Sequence, residues 1–166
     1  MYTDKKFKIV LIDDDPTMTE MLKDFITKNY NAAEVTVFHT GEEAMSGIYS
    51  IPEVMVLDYH LDSVNPEALN GLQILKKLKD MYPETPVIFF SSEEKPEIAV
   101  NTIKYGAYDY IVKNENAFHR LEILLTNIFS HGELKKNLGS QKFFNRLLGV
   151  LLAAILIGLI IAKMTD

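Results

Sequence analysis

Four short apolar runs in this chain each end in a residue able to act on a phosphoryl group. Lys8 to Ile12 runs into Asp13-Asp14-Asp15, Val54 to Leu57 into Asp58, Val87 to Phe90 into Ser91-Ser92, and Tyr110 to Val112 into Lys113. Carboxylates hold a hard divalent cation or attack phosphorus, and a hydroxyl and an ammonium steady the phosphoryl oxygens. In an open parallel sheet, ligands bind beyond the carboxyl ends of the strands, so residues that follow different strands converge on one cleft. Three or more carboxylates, a hydroxyl and an ammonium are therefore expected in one small pocket.

Such convergence requires strands and helices to alternate, and the apolar periodicity does so. Pro16 follows an acidic cap and precedes Met18, Met21, Leu22, Phe25 and Ile26, the spacing of one helical face. Val35 to Phe38 reads as the second strand, Thr40 to Tyr49 as the second helix, and Leu72 to Met81 as the third. A helix over Pro96 to Lys104 separates the last two strands, and Leu121, Leu124, Leu125, Ile128 and Phe129 mark the final helix. Strands that are unbroken apolar runs, each followed by a helix, predict an α/β fold with a parallel sheet covered on both faces and right-handed crossovers. Asp62 to Asn70 (DSVNPEALN) is the one unusually long strand-to-helix connection, a length that often carries function.

Composition bounds the partners. Within 166 residues one domain plus an appendage is expected, and the absence of cysteine removes disulfides and thiolate metal sites. Residues 1–131 carry 12 Lys/Arg against 21 Asp/Glu, whereas residues 132–166 carry 5 against 2. An acidic globular part argues against nucleic acid as a partner, because phosphate backbones attract Lys and Arg. No secretory signal opens the chain, so the globular part is expected to stay where it is made.

Leu147 to Ala162 is sixteen residues without a charge, and counting from Phe143 makes twenty if Arg146 snorkels to the headgroups. Twenty apolar residues reach across a bilayer core of about 30 Å, which predicts a transmembrane helix over 143–162, a linker over 132–142 and a globular domain over 1–131. Lys135, Lys136, Lys142 and Arg146 on the amino side place the globular part in the cytoplasm, at the inner (cytoplasmic) membrane, by the positive-inside rule. Rows of small residues, Gly149 with Ala153 and Ala154 with Gly158 and Ala162, permit a homodimer.

The stretches IVLIDDDP, VMVLD, PVIFFSS and GAYDYIVK, in that order and at these separations, resemble the receiver domain of bacterial two-component response regulators over about residues 7–130. The resemblance implies a single-domain receiver with a five-stranded parallel doubly wound (flavodoxin-like) sheet and helices on both faces. It implies that Asp58 is the phosphoacceptor, that Asp13 and Asp14 hold Mg2+ with Asp58 and the backbone carbonyl of His60, and that Ser91 is the switch hydroxyl. Lys113 is then the phosphate-binding lysine and Tyr110 the switch aromatic. The implied phosphoryl donor is a histidine kinase, a phosphotransfer protein or a small phosphodonor, and the chain is a phosphoacceptor rather than an enzyme.

Two departures from that family's pattern bear on the site. Asn114 follows Lys113 where proline is common, and a non-proline cis bond costs about 2.5 to 4 kcal/mol, so a trans bond is expected. The usual Met-Pro after the acceptor is missing, and Gly71 comes several residues late. The expected function is phosphorelay signalling, in which phosphorylation of Asp58 switches contacts with a downstream protein at the membrane. The alternatives are a phosphate sink or relay intermediate, an interaction module independent of phosphorylation, and a phosphatase of related fold. The last usually needs an acid where this chain has His60.

Overall fold

The structure, a computed structural model, describes residues 6–62 and 68–131 together with Arg146 and Leu148. It falls into two compact units, Met1–Ile128 and Phe129–Asp166. In the first, elements alternate as β1 (Phe7–Ile12), α1 (Pro16–Asn29), β2 (Ala33–Phe38), α2 (Gly41–Gly47), β3 (Val54–Leu57), α3 (Gly71–Met81), β4 (Val87–Ser91), α4 (Pro96–Lys104) and β5 (Asp109–Val112). A last helix, α5, is described over 117–131.

All strand pairs are parallel, in the order β2-β1-β3-β4-β5. This is the expected five-stranded doubly wound α/β sheet. The chain reverses direction across the sheet between β1 and β3, which is where such a sheet opens a crevice. Every residue of β3 and β4 is buried, as uninterrupted apolar strands covered on both faces require. On one face Val10, Ile12, Met55, Leu57, Val87 and Phe89 pack with Ile74, Leu75 and Leu78 of α3. On the other, Phe90 meets Phe118 of α5 edge to face at 5.7 Å between ring centroids, and Phe118 meets Phe25 of α1 at 5.1 Å. The Tyr30 hydroxyl, just past α1, donates to the Glu122 carbonyl at 3.0 Å and lies 2.8 Å from Thr126 Oγ1.

Helix starts follow local chemistry. The Asp15 carboxylate accepts from the Thr17 amide ahead of Pro16 in the first turn. Asn70 and Gln73 form a reciprocal capping box at the start of α3. The elements differ from the periodicity reading only at their ends: β2 begins at Ala33, β4 continues through Ser91, and α2 stops at Gly47, leaving Tyr49 94% exposed. No cis peptide bond occurs among the described residues, in keeping with Asn114.

One expectation is overturned. Among the described residues no helix is long and apolar enough to cross a membrane. The location at the inner (cytoplasmic) membrane, with the globular part facing the cytoplasm, is corrected accordingly, because a span needs about 20 predominantly apolar residues in one helix. The 14 residues of α1 include Glu20, Lys23, Asp24 and Lys28, and α5 includes Arg120 and Glu122. The segments expected as linker (132–142) and membrane helix (143–162) lie outside the described residues, save for Arg146 and Leu148, which are helical.

Gly71 marks a close approach of two backbones. Its amide donates to the Tyr59 carbonyl at 2.8 Å, and a Cβ there would collide with the Asp58 carbonyl oxygen and come within 2.7 Å of Tyr59 Cα. Both obstacles are backbone, so neither turns aside as a side chain would. Gly71→Ala is expected to cost about 1 to 3 kcal/mol as overpacking, read from the midpoint of chemical denaturation. A variant as stable as the wild type would contradict this account of α3 packing against the acceptor loop.

Candidate functional site

Sheet register carries the polar residues to one edge. Ile12 pairs with Leu57, Leu57 with Phe89, and Ser91 with Val112, so Asp13, Asp58, Ser91 and Lys113 end or follow four neighbouring strands. Backbone bonds extend the sheet past the strand ends: the Asp58 amide donates to the Ile12 carbonyl and the Lys113 amide to the Ser91 carbonyl, each at 2.8 Å.

The side chains converge as that register demands. Lys113 Nζ donates to Asp13 Oδ2 at 2.8 Å and lies 3.2 Å from Asp58 Oδ1. Asp13 Oδ1 accepts from the Asp15 amide, and Asp58 Oδ2 from the His60 amide, both at 2.9 Å. Asp13 and Asp58 are only 3% and 4% exposed. Asp13, Asp14 and Asp58 each offer a carboxylate oxygen, and these oxygens lie within 4.8 Å of one another. Asp14 Oδ2 and Asp58 Oδ1 are buried and accept no hydrogen bond among the described residues.

Buried acceptors without donors are costly, and here the charge compounds the cost. Burial pushes the Asp13 carboxyl above its usual value of 3.8, against the pull of Lys113 and the Asp15 amide and with repulsion from Asp58. Burial works to strip Lys113 of its proton, but Asp13 and Asp58 outweigh it and hold the ammonium above its usual value of 10.5. An ion pair alone would lower the acid, so the rise at Asp13 means that one ammonium does not compensate this pocket. Three carboxylates against one cation leave a site that retains protons or takes another cation. An all-oxygen set of three carboxylates, with Asp14 Oδ2 buried and accepting no hydrogen bond among the described residues, fits Mg2+.

Ser91 is fully buried at the end of β4, and its Oγ accepts from the Glu93 amide at 3.3 Å. Tyr110 lies in the core, stacked on Phe89 at 5.9 Å, and its hydroxyl donates to the Glu93 carbonyl at 2.7 Å. Burial raises its phenol above the usual value of 10.0. His60 enters through its amide on Asp58, and its ring reaches 3.8 Å from Glu93 Oε2.

Sequence reasoning passed over Glu93. Its backbone meets Ser91 and Tyr110, and its carboxylate lies near His60 and 3.4 Å from Lys95 Nζ. Burial works to raise that carboxyl, but the Lys95 amide and ammonium, with His60, hold it below its usual value of 4.5. Position was the available signal, since Glu93 stands two residues beyond Ser91 as His60 stands two beyond Asp58. His39 is exposed and has Nδ1 3.2 Å from the Asp13 carbonyl.

Comparison with known proteins points the same way. The family model described as response regulator receiver domain matches residues 9–124. Over 107 residues the chain is 31% identical to the transcriptional regulatory protein TrcR of Mycobacterium tuberculosis, covering 64% of this chain and 39% of that protein. It is 32% identical to a protein-glutamate methylesterase/protein-glutamine glutaminase of Bacillus subtilis, over 64% of this chain and 29% of the relative. The match thus spans less than half the length of these two relatives. Among solved structures, the BeF3-activated receiver domain of DrrB from Thermotoga maritima superimposes with a TM-score of 0.65 at 26% identity, over 75% of this chain and 98% of that one.

The raised Asp13 carboxyl yields a signed expectation. Its value in the fold lies above 3.8, so the metal-free fold binds this proton more tightly than the unfolded chain does. That contribution to stability is present below about pH 4 and is lost as pH rises through the folded value. Calorimetry without Mg2+ should find this loss in the wild type and a shallower one in Asp13→Asn. At neutral pH, Mg2+ at ten times its Kd should add about 1.4 kcal/mol to the wild type and less to the variant. Identical pH slopes for the two proteins would refute the electrostatic reading.

Proposed function

The chain belongs to the response regulator receiver domain family of two-component signalling, and on that premise we propose that it accepts a phosphoryl group on Asp58 and signals through altered protein contacts. The observation that carries this reading is the Asp58 carboxylate. It is buried, has one oxygen fixed by the His60 amide, and has the other in ion-pair contact with the Lys113 ammonium at 3.2 Å, accepting no hydrogen bond among the described residues.

Receiver domains generally bind Mg2+ at an acidic pocket, and in this chain Asp13, Asp14, Asp58 and the His60 carbonyl would hold it. When bound, it neutralises carboxylate and phosphoryl oxygens together. The remaining work falls to the chain's own residues. Asp58 Oδ1, which accepts no hydrogen bond, is the nucleophile. Its bond to phosphorus forms as the bond from phosphorus to the donor's imidazole nitrogen breaks, the electron pair leaving with the imidazole. Lys113 balances charge on the transferring oxygens, so catalysis is chiefly positioning and electrostatics. The donor is a histidine kinase or a phosphotransfer protein, the partner class of the family.

The product carries roughly 1.5 to 2 negative charges beside Lys113 and Ser91, in place of the single charge of the free carboxylate. Ser91 is the switch hydroxyl and Tyr110 the aromatic whose surroundings change. Receiver domains are generally not enzymes in their own right, and the methylesterase relative is matched over only 29% of its length, so the chain is a phosphoacceptor. Its effect is an altered association with a downstream protein.

Incubation with acetyl phosphate and Mg2+ is expected to label the wild type once per chain, with the base lability of an acyl phosphate. Asp58→Asn should abolish labelling. Mg2+-dependent label that survives this substitution would mean that another residue is the acceptor. Ser91→Ala should still be labelled yet respond more weakly to it; an undiminished response would remove Ser91 from the switch.

A further inference from the structure

Glu93 touches three groups that the reading above treats separately. Its amide donates to Ser91 Oγ at 3.3 Å, its carbonyl accepts from the Tyr110 hydroxyl at 2.7 Å, and its carboxylate stands 3.8 Å from His60 Nε2. The His60 amide in turn donates to Asp58 Oδ2 at 2.9 Å. Two connections thus meet over the acceptor: the one leaving β3, which carries His60, and the one leaving β4, which carries Glu93.

We propose that Glu93 is a positioning residue in a second line of contacts, Asp58–His60–Glu93–Tyr110, which transmits the state of the acceptor to Tyr110 in parallel with Ser91. The proposal rests on Asp58 being the phosphoacceptor. A phosphoryl group enlarges and recharges the carboxylate that the His60 amide grips, so the His60 backbone shifts with it. The His60 ring then changes its distance to the Glu93 carboxylate. The Glu93 side chain is only 16% exposed; its Oε2, which faces His60, also meets Lys95 Nζ at 3.4 Å, and its Oε1 accepts from the Lys95 amide at 3.3 Å, so it is confined, and a displacement reaches its backbone. That backbone carbonyl is where the Tyr110 hydroxyl is bound.

Neither contact is redundant with Ser91. The Ser91 line runs through the Glu93 amide, the His60 line through the carboxylate, and both meet at one residue. Removal of one line should leave part of the response, and removal of both should leave none. A contact that merely braces the loop would instead alter stability and leave the response of Tyr110 intact.

The full chain labelled with fluorotyrosine tests this, with the Tyr110 resonance identified by its loss in Tyr110→Phe. Beryllium fluoride with Mg2+ serves as the acceptor-bound probe. Glu93→Gln keeps the side-chain length and both backbone contacts but removes the charge facing His60. It is expected still to take acetyl phosphate label on Asp58 while losing about half of the probe-induced Tyr110 shift; Ser91→Ala should lose a comparable part, and the double variant nearly all of it. Lys95→Gln, which removes the ammonium beside the carboxylate and keeps the amide on Oε1, should retain most of the shift. A full shift in Glu93→Gln, or complete loss in Ser91→Ala alone, would overturn the second line. Failure of the wild type to take label on Asp58 would remove the proposed function itself, and a labelled wild type with an unaltered Glu93→Gln shift would remove only this inference.

Discussion

Everything at the carboxyl edge of the sheet depends on the competition for Lys113. Its single ammonium is shared between Asp13 at 2.8 Å and Asp58 at 3.2 Å, with Asp14 beside them. The first contact is a hydrogen bond and the second an ion pair without hydrogen-bond geometry, so the buried Asp58 Oδ1 is only partly compensated. A buried acceptor in that condition raises the free energy of the resting fold. A hard cation brings positive charge to that carboxylate, and a bond to phosphorus engages the oxygen's lone pair, so either relieves it. The sheet supplies the rigidity that keeps the carboxylates from drifting apart. Their backbones are fixed by parallel register and by ladder bonds that continue past β1, β3 and β5.

The apolar runs of the sequence made the strands legible because buried parallel strands need no polar alternation. Ile9 to Ile12 and Val54 to Leu57 are buried throughout, and the residue types at their carboxyl ends named the chemistry. Legibility stopped where a contact depends on loop geometry. Nothing in the letters around Ser91 says that the Glu93 backbone holds both its hydroxyl and that of Tyr110. Gly71 was visible only as a late glycine; that it rests against the Asp58 carbonyl depends on where α3 begins, which the Asn70–Gln73 capping box sets. The ends of α2 and β2 were misjudged because apolar Tyr49 and small Ala33 carry weak signals, and the sheet edge decides their states. The run expected to enter a membrane lies outside the described residues save for Arg146 and Leu148.

The departures from the family's pattern are modest in geometry and concentrated at the acceptor. Asn114 lets the chain leave β5 without a cis bond, and its side chain accepts from the Asn116 amide at 3.0 Å, turning the backbone into α5. On the opposite side, Glu42 Oε1 accepts from the Leu69 amide at 3.2 Å, so the acidic first turn of α2 fixes the last residues of the long connection. The site is thus framed by local side-chain-to-backbone bonds in addition to the apolar core.

The clasp at Tyr30 bears on how the chain reaches this state. Its hydroxyl bridges to residues 92 and 96 positions downstream, joining the first helix to the last. Closing so large a loop carries an entropic cost that only a nearly complete sheet offsets. During synthesis, therefore, the first helix waits without its partner until residues near Thr126 have emerged, and until then the face of the sheet that α5 covers stays open to water and to other chains.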